Sequence, residues 1–124
     1  MRWPPLAAAL LLTGCVDEFD QHQVLRSPEG VFATIGIPPS GDSYTVCLAE
    51  QPLRTCPRSE AVFYSYRGLR GSQRWAERNV LLIQQVGGEV SSPPPGSIRV
   101  GRREVAVRLD YRPCPREQYW TTAC

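Results

Sequence analysis

Residues 105–111 read Val-Ala-Val-Arg-Leu-Asp-Tyr, the clearest alternation of apolar and polar residues in the chain. The larger apolar side chains fall on one face, while Arg108 and Asp110 fall on the opposite face. A repeat of two residues is typical of a β-strand with one buried and one solvated face. The stretch therefore predicts a strand in an antiparallel sheet whose outer face is wet.

Apolar runs of similar length recur upstream of this strand. They are bounded by clusters of turn-forming residues such as Pro38–Asp42 and Ser91–Gly96. The predicted strands cover residues 31–37, 44–48, 60–66, 80–86, 98–100 and 105–111. Between the third and fourth of them, Ser72 is placed to cap a short helix that ends at Arg78. The pattern predicts an all-β fold, a small antiparallel sandwich or partly open barrel of about six strands.

The N-terminus carries the features of an export signal. Arg2 precedes an apolar run that starts at Leu6 and ends in small residues at Gly14. A membrane-spanning helix needs about 20 consecutive apolar residues, so this run is too short to span a bilayer. We therefore expect the segment to be cleaved rather than retained as a helix.

The last four residues of this segment, Leu12-Thr13-Gly14-Cys15, resemble the lipobox of bacterial lipoproteins. The resemblance implies cleavage before Cys15, a diacylglycerol on its sulfur and an acyl chain on its new amino terminus. Because Val16 rather than Asp follows the cysteine, it also implies sorting to the outer membrane, facing the periplasm. Asp17, one position later, leaves the inner membrane open as an alternative.

The composition bounds the rest of the chain to one small domain. We expect a signal peptide over residues 1–14, a lipidated N-terminus and flexible tether over 15–29, and a single periplasmic β domain over 30–124. The whole chain of 124 residues has a formal net charge of +2, and all its basic residues are Arg. This near-neutral balance gives no indication of nucleic-acid binding.

Four cysteines remain once Cys15 carries lipid, and they predict two disulfides that stabilise the domain. An even number of cysteines in a small exported domain is typical of a disulfide framework. The spacings of Cys47 from Cys56 and of Cys114 from Cys124 are too wide for the usual zinc-binding pairs. We favour the two local pairings because short loops close most easily. A bridge from Cys114 to one of the first two cysteines is the open alternative.

Catalytic residues are scarce in this sequence. The only histidine, His22, lies in the predicted tether, where no packing would orient an imidazole for catalysis. The carboxylates belong to no recognisable motif, and the glycines lack the spacing of a phosphate-binding loop. We therefore predict no enzyme activity, no catalytic residue, no metal site and no cofactor.

Two segments have the residue types that dominate binding surfaces, which are Arg, Tyr and Trp. The first combines arginines at spacings of three, four and four with one tryptophan: Arg67, Arg70, Arg74, Trp75 and Arg78. The second is Tyr119-Trp120, inside the predicted loop between Cys114 and Cys124. For the first segment, the competing interpretation is a solvated helix face that Trp75 anchors to the core. For the second segment, it is a lid over one end of the fold.

These observations predict an envelope lipoprotein that binds without catalysis. Its partners would be the membrane, through its lipid, and a protein or a cell-wall component. Its length, lipobox, strands and cysteines resemble the general form of small periplasmic lipoproteins that act as immunity proteins or inhibitors against secreted toxins and lysozymes. The alternatives are an accessory lipoprotein of an outer-membrane or secretion complex and a hydrolase of cell-wall sugar.

Overall fold

The computed structural model describes residues 21–39, 41, 43–67, 70–118 and 124 of the chain. The lipobox with Cys15 and the aromatic pair Tyr119-Trp120 lie outside the described residues. Within the described part, nine strands are present. They are β1 (Gln21–Arg26), β2 (Phe32–Ile37), β3 (Ser43–Ala49), β4 (Phe63–Tyr66), β5 (Arg70–Glu77), β6 (Val80–Val86), β7 (Glu89–Ser92), β8 (Ser97–Val100) and β9 (Arg103–Arg112). Two 3₁₀ helices, Arg58–Glu60 and Arg116–Gln118, complete the regular structure there.

The strands form two sheets, which confirms the predicted all-β sandwich. Sheet A has the order β1-β2-β3-β4-β7, and all its neighbouring strands are antiparallel. Sheet B has the order β5-β6-β9-β8, and its central pair, β6 and β9, is parallel. The described part contains nine strands rather than about six, and this one parallel pair lies within an otherwise antiparallel sandwich. None of the described residues forms a helix long and apolar enough to cross a membrane.

The core lies between the inner faces of the two sheets. In β9 the predicted alternation is confirmed, because Val105 and Val107 are buried while Arg108 and Asp110 are exposed. Sheet A contributes alternate residues in the same way. The largest fully buried apolar side chains are Phe63, Ile35, Leu81, Ile83, Val31, Val46 and Val105. Burial of such side chains is the main stabilising contribution in a sandwich of this size.

The short helix predicted from Ser72 to Arg78 is wrong, because this segment forms most of β5 and the turn that follows. An isolated helix of seven residues is marginal, whereas β5 pairs with β6 along its length. Trp75 packs against the core, and its Nε1 donates a hydrogen bond to the Leu25 carbonyl oxygen at 3.0 Å. Tertiary pairing therefore overrides the local helical spacing of the arginines.

The predicted tether is wrong for residues 21–29, because they belong to the folded domain. β1 pairs with β2 over its full length. After β1, Ser27 is buried; its hydroxyl accepts a hydrogen bond from the Val31 amide at 2.9 Å and donates one to Asn79 Oδ1 at 2.9 Å. Glu29 accepts a hydrogen bond from Asn79 Nδ2 at 2.9 Å and forms an ion pair with Arg103 at 3.0 Å. These contacts fix the β1–β2 turn against sheet B.

Both local disulfides are present, which confirms the favoured pairing. Cys47 bonds to Cys56 with their Cα atoms 5.6 Å apart, and Cys114 bonds to Cys124 with their Cα atoms 5.9 Å apart. Each distance is ordinary for a disulfide. Because every one of these sulfurs is bonded to another, none is free to ligate zinc.

The first disulfide holds the loop between β3 and β4 across the outer face of sheet A. Thr45 Oγ1 donates a hydrogen bond to the Cys56 carbonyl oxygen at 2.6 Å, and the Leu53 amide donates one to Thr34 Oγ1 at 3.2 Å. Gly36 lies under this loop, where an added Cβ would approach Thr45 Oγ1 to 2.9 Å. The loop between β3 and β4 therefore covers the centre of the outer face of sheet A.

Candidate binding surface

The outer face of sheet B has no comparable cover among the described residues. Its side chains form rows across β5, β6 and β9. One row contains Arg74, Leu82 and Arg108, which are direct neighbours in the strand register. Adjacent strands lie about 4.8 Å apart, so the backbones of the two arginines are separated by about 10 Å. The half-buried Leu82 lies between two exposed guanidinium groups.

A groove with a volume of about 680 Å³ covers the next rows toward the end of β9. This volume lies within the range of ligand-binding clefts, but the groove is open to solvent and its lining is about half polar. Polar side chains from all three strands line it, together with one half-buried valine and the last cysteine of the chain. These lining residues are Ser72, Gln84, Val86, Asp110, Arg112 and Cys124. We call this feature the sheet B groove.

The arginines beside the sheet B groove are not neutralised by any carboxylate of the described residues. Arg74, Arg108 and Arg112 are exposed, and none forms an ion pair with a carboxylate of the described residues. Asp110 is the one carboxylate side chain among the described residues that line the groove. An excess of free guanidinium groups around a concave surface favours ligands that carry carboxylates or other anions, which Arg binds in a bidentate manner.

The structure separates the arginines of the predicted binding segment. Arg74 lies in the row next to the groove, and Arg70 begins β5 opposite Val86. Trp75 packs inward and fits the core-anchor interpretation. Arg78 lies in the turn at the far end of β5 and contacts Glu29 at 3.8 Å. Only part of the segment can therefore contribute to one surface.

The structure brings together two features that the sequence left apart. Cys124 closes the C-terminal disulfide loop and lines the same groove as Ser72 of β5. Cys124, at the end of this loop, therefore lies beside the arginine-bearing face of sheet B. Arg108 and Arg112 also belong to this surface, and sequence analysis did not single them out as binding residues. Their alternation along β9 was visible, but the β6–β9 pairing that sets them beside Arg74 was not.

Arg67 belongs to a different cluster, on the outer face of sheet A. Its guanidinium carbon lies 4.9 Å from the centre of the Tyr66 ring, and that of Arg58 lies 4.2 Å from the centre of the Tyr64 ring. Stacking of this kind contributes about 0.5–1 kcal/mol at exposed sites. Arg67 has a φ of 58°, in the left-handed region that is unfavourable for residues other than glycine. We call these four residues the Arg–Tyr platform; sequence analysis missed Arg58, which comes from the disulfide-held loop.

A buried polar pair lies beneath the sheet B groove. Tyr44 donates its hydroxyl hydrogen to Gln85 Oε1 at 2.7 Å, and Gln85 Nε2 donates to the Gly87 carbonyl oxygen at 3.2 Å. Burial raises the pKa of Tyr44 to about 12, and the nearby side chains of Gln73 and Ser65 only partly oppose this rise. The phenol is therefore protonated at neutral pH and acts as a hydrogen-bond donor.

Gly71 lets β5 pass close to this polar pair. A Cβ at this position would lie 2.8 Å from Gln85 Oε1 and 2.8 Å from the nearest carbon of the Tyr44 ring. Such distances are below normal van der Waals contact, so a larger residue would force the floor of the groove to move.

His22 lies in β1, opposite Gly36 in the register, and not in a tether as predicted. Among the described residues, no three side chains of His, Cys, Asp or Glu come together as a possible metal site.

No protein-family model matches the chain, and no curated protein or solved structure matches it either. The geometry of the domain and the motif at its N-terminus are therefore the features that bear on function.

Proposed function

We propose that this protein is a lipid-anchored lipoprotein of the bacterial envelope that binds another protein through the sheet B groove and catalyses no reaction. The observation that carries the proposal is a set of exposed arginines, Arg74, Arg108 and Arg112, around a groove of about 680 Å³ on an open sheet face; none of them pairs with a carboxylate of the described residues. The lipobox resemblance of residues 12–15 supports the anchor and the envelope location.

The mixed character of this surface favours a protein partner. Leu82 and Val86 are half-buried apolar side chains between charged and polar neighbours. Protein interfaces combine such an apolar centre with arginines and a polar rim. The free guanidinium groups would select a partner that presents acidic side chains and would accelerate its association.

Among protein-binding roles, we favour that of an immunity protein or an inhibitor of a secreted toxin or lysozyme. Such a protein must bind tightly, needs no catalytic residues and acts where the lipid anchor would hold it. An accessory role in an outer-membrane or secretion complex is the competing assignment. The identity of the bound protein distinguishes the two roles.

The test is site-specific photo-crosslinking in intact cells. A photoreactive residue replaces Gln84, which is exposed on the floor of the groove, and a second variant places it at Arg102, in the turn between β8 and β9. We expect a discrete adduct from position 84 and none from position 102. A secreted toxin or lysozyme in the adduct would support the inhibitor role, and components of an envelope complex would support the accessory role.

Charge-removing variants sharpen the test. The double variant Arg74→Ala, Arg108→Ala should reduce the yield of the adduct at position 84, because it removes the cations on both sides of Leu82. The control Arg99→Ala, Arg102→Ala removes the same charge from exposed positions outside the groove. Equal yields from both double variants would show that the arginines of the groove do not bind the partner.

A further inference from the structure

The Arg–Tyr platform lies toward the end of the sandwich at which the chain enters from the lipobox. β1 begins at Gln21, which pairs with Ile37 at the end of β2. β3 begins at Ser43, which pairs with Tyr66 at the end of β4. Since one turn joins the end of β2 to the start of β3, Gln21 and Tyr66 belong to the same end of sheet A.

Covalent geometry keeps this end close to the anchor. Only six residue steps separate Cys15 from Gln21. A fully extended chain spans at most about 3.6 Å per residue, so the start of β1 stays within about 20 Å of a lipidated Cys15. For the turns at the other end of the sandwich, the same covalent limit is larger by about the length of a strand.

We infer that the Arg–Tyr platform binds the phosphate groups of anionic phospholipids and so orients the domain on the membrane. This inference rests on the proposed lipidation of Cys15 and goes beyond the proposed protein-binding function, which uses the opposite sheet. The four residues are Arg58, Tyr64, Tyr66 and Arg67.

The chemistry of the platform fits a lipid headgroup. Each guanidinium stacks on a tyrosine ring, which leaves its N–H edges available for a bidentate phosphate. Arg58 and Arg67 are exposed, and neither forms an ion pair with a carboxylate of the described residues. Glu89, opposite Tyr66 in the register, forms no ion pair with an arginine of the described residues. Tyrosine is enriched at membrane–water interfaces, and Arg is attracted to anionic headgroups.

The local backbone holds the two arginines in position. Arg67 adopts its left-handed conformation directly after β4, and this places its guanidinium over the ring of the preceding residue. Arg58 is held from the other side, by a loop that the bond between Cys47 and Cys56 fixes onto sheet A. A preorganised pair of donors loses less conformational freedom on binding than free surface side chains do.

The experiment is arginine footprinting of the mature lipoprotein reconstituted into vesicles. Phenylglyoxal modifies accessible guanidinium groups, and mass spectrometry reads the extent at each arginine. One set of vesicles contains phosphatidylcholine alone, and the other contains phosphatidylcholine mixed with phosphatidylglycerol. We expect modification of Arg58 and Arg67 to slow several-fold in the mixed vesicles, while Arg99 and Arg102 react equally in both.

Each alternative outcome is distinct. Equal reactivity of Arg58 and Arg67 in the two kinds of vesicle would overturn the inference. Protection in native membranes but not in the mixed vesicles would also overturn it and would assign the platform to a protein partner. Flotation with phosphatidylcholine vesicles tests the anchor separately, because the lipid alone should suffice for it. A protein that does not float refutes the proposed lipidation rather than the headgroup contact.

Discussion

Alkaline pH should destabilise this domain through Tyr44. The pKa of this half-buried phenol is raised to about 12, whereas an unfolded tyrosine has a pKa of about 10. Between these values the unfolded chain loses the proton and the folded protein keeps it. Because the folded state then binds more protons than the unfolded state, the free energy of unfolding must fall as the pH rises. The contribution is fully present below about pH 10 and is lost by about pH 12.

The size of this loss in the free energy of unfolding follows from the difference between the two pKa values. One unit of pKa difference corresponds to about 1.4 kcal/mol, so Tyr44 should remove on the order of 2–3 kcal/mol across this range. Tyr44→Phe abolishes that pH dependence but has a cost at neutral pH. It leaves Gln85 Oε1, in a side chain that is 1 % exposed, without the donor that now lies 2.7 Å away. An unsatisfied buried acceptor costs about 1–3 kcal/mol.

Urea unfolding at a series of pH values measures both effects. The wild type should lose stability above pH ~10 more steeply than Tyr44→Phe does, and the two curves should converge near pH ~12. Tyr111→Phe is the matched control, since Tyr111 is 40 % exposed and donates its hydroxyl to the Gly88 carbonyl oxygen at 2.8 Å. Parallel curves for the wild type and Tyr44→Phe would refute the assignment of this slope to the buried phenol.

Three further predictions concern other parts of the chain. Cys47→Ala with Cys56→Ala should lower the free energy of unfolding by about 2–4 kcal/mol, because the loop over sheet A loses its bridge; an unchanged urea midpoint would contradict this. Ser65→Ala should change the free energy of unfolding at neutral pH by no more than about 1 kcal/mol, because the buried Ser65 hydroxyl lies near the Tyr44 phenol but makes no hydrogen bond within the normal distance among the described residues; a larger loss in urea unfolding would contradict this. Cys15→Ser should leave an unprocessed or mislocalised precursor, and a normally processed variant in the outer-membrane fraction would refute the lipoprotein assignment.

The sequence predicted those strands whose own side chains fill the core. β9, β6 and β2 each contain enough apolar residues to define a buried face without help from a neighbour. β1 and β5 do not. β1 has the sequence QHQVLR and is held by pairing with β2 and by the indole of Trp75, which are contacts that no local pattern contains. Edge strands of this kind depend on the sheet that they join.

The candidate surface was predictable only in fragments, for a related reason. The arginine-rich segment and the C-terminal disulfide loop were both visible, but their meeting depends on the parallel pairing of β6 with β9. Parallel neighbours require a crossover, here through β7 and β8, and neither strand signals it locally. The same holds for the Arg–Tyr platform, since Arg58 reaches Tyr64 only because the bond between Cys47 and Cys56 folds the loop back over sheet A.

The two outer faces of the sandwich differ in a way that separates the two proposed contacts. On sheet A, the outward-facing Thr34 and Thr45 are 0 % and 7 % exposed because the disulfide-held loop covers them, which leaves the Arg–Tyr platform at one side. On sheet B, Gln84 and Asp110 stay exposed in an open groove. A membrane bound at the platform and a protein bound in the groove would occupy opposite sheets and would not compete. The adduct at position 84 should therefore form with equal yield in vesicles with and without phosphatidylglycerol, and inhibition by the anionic lipid would show that the two sites overlap.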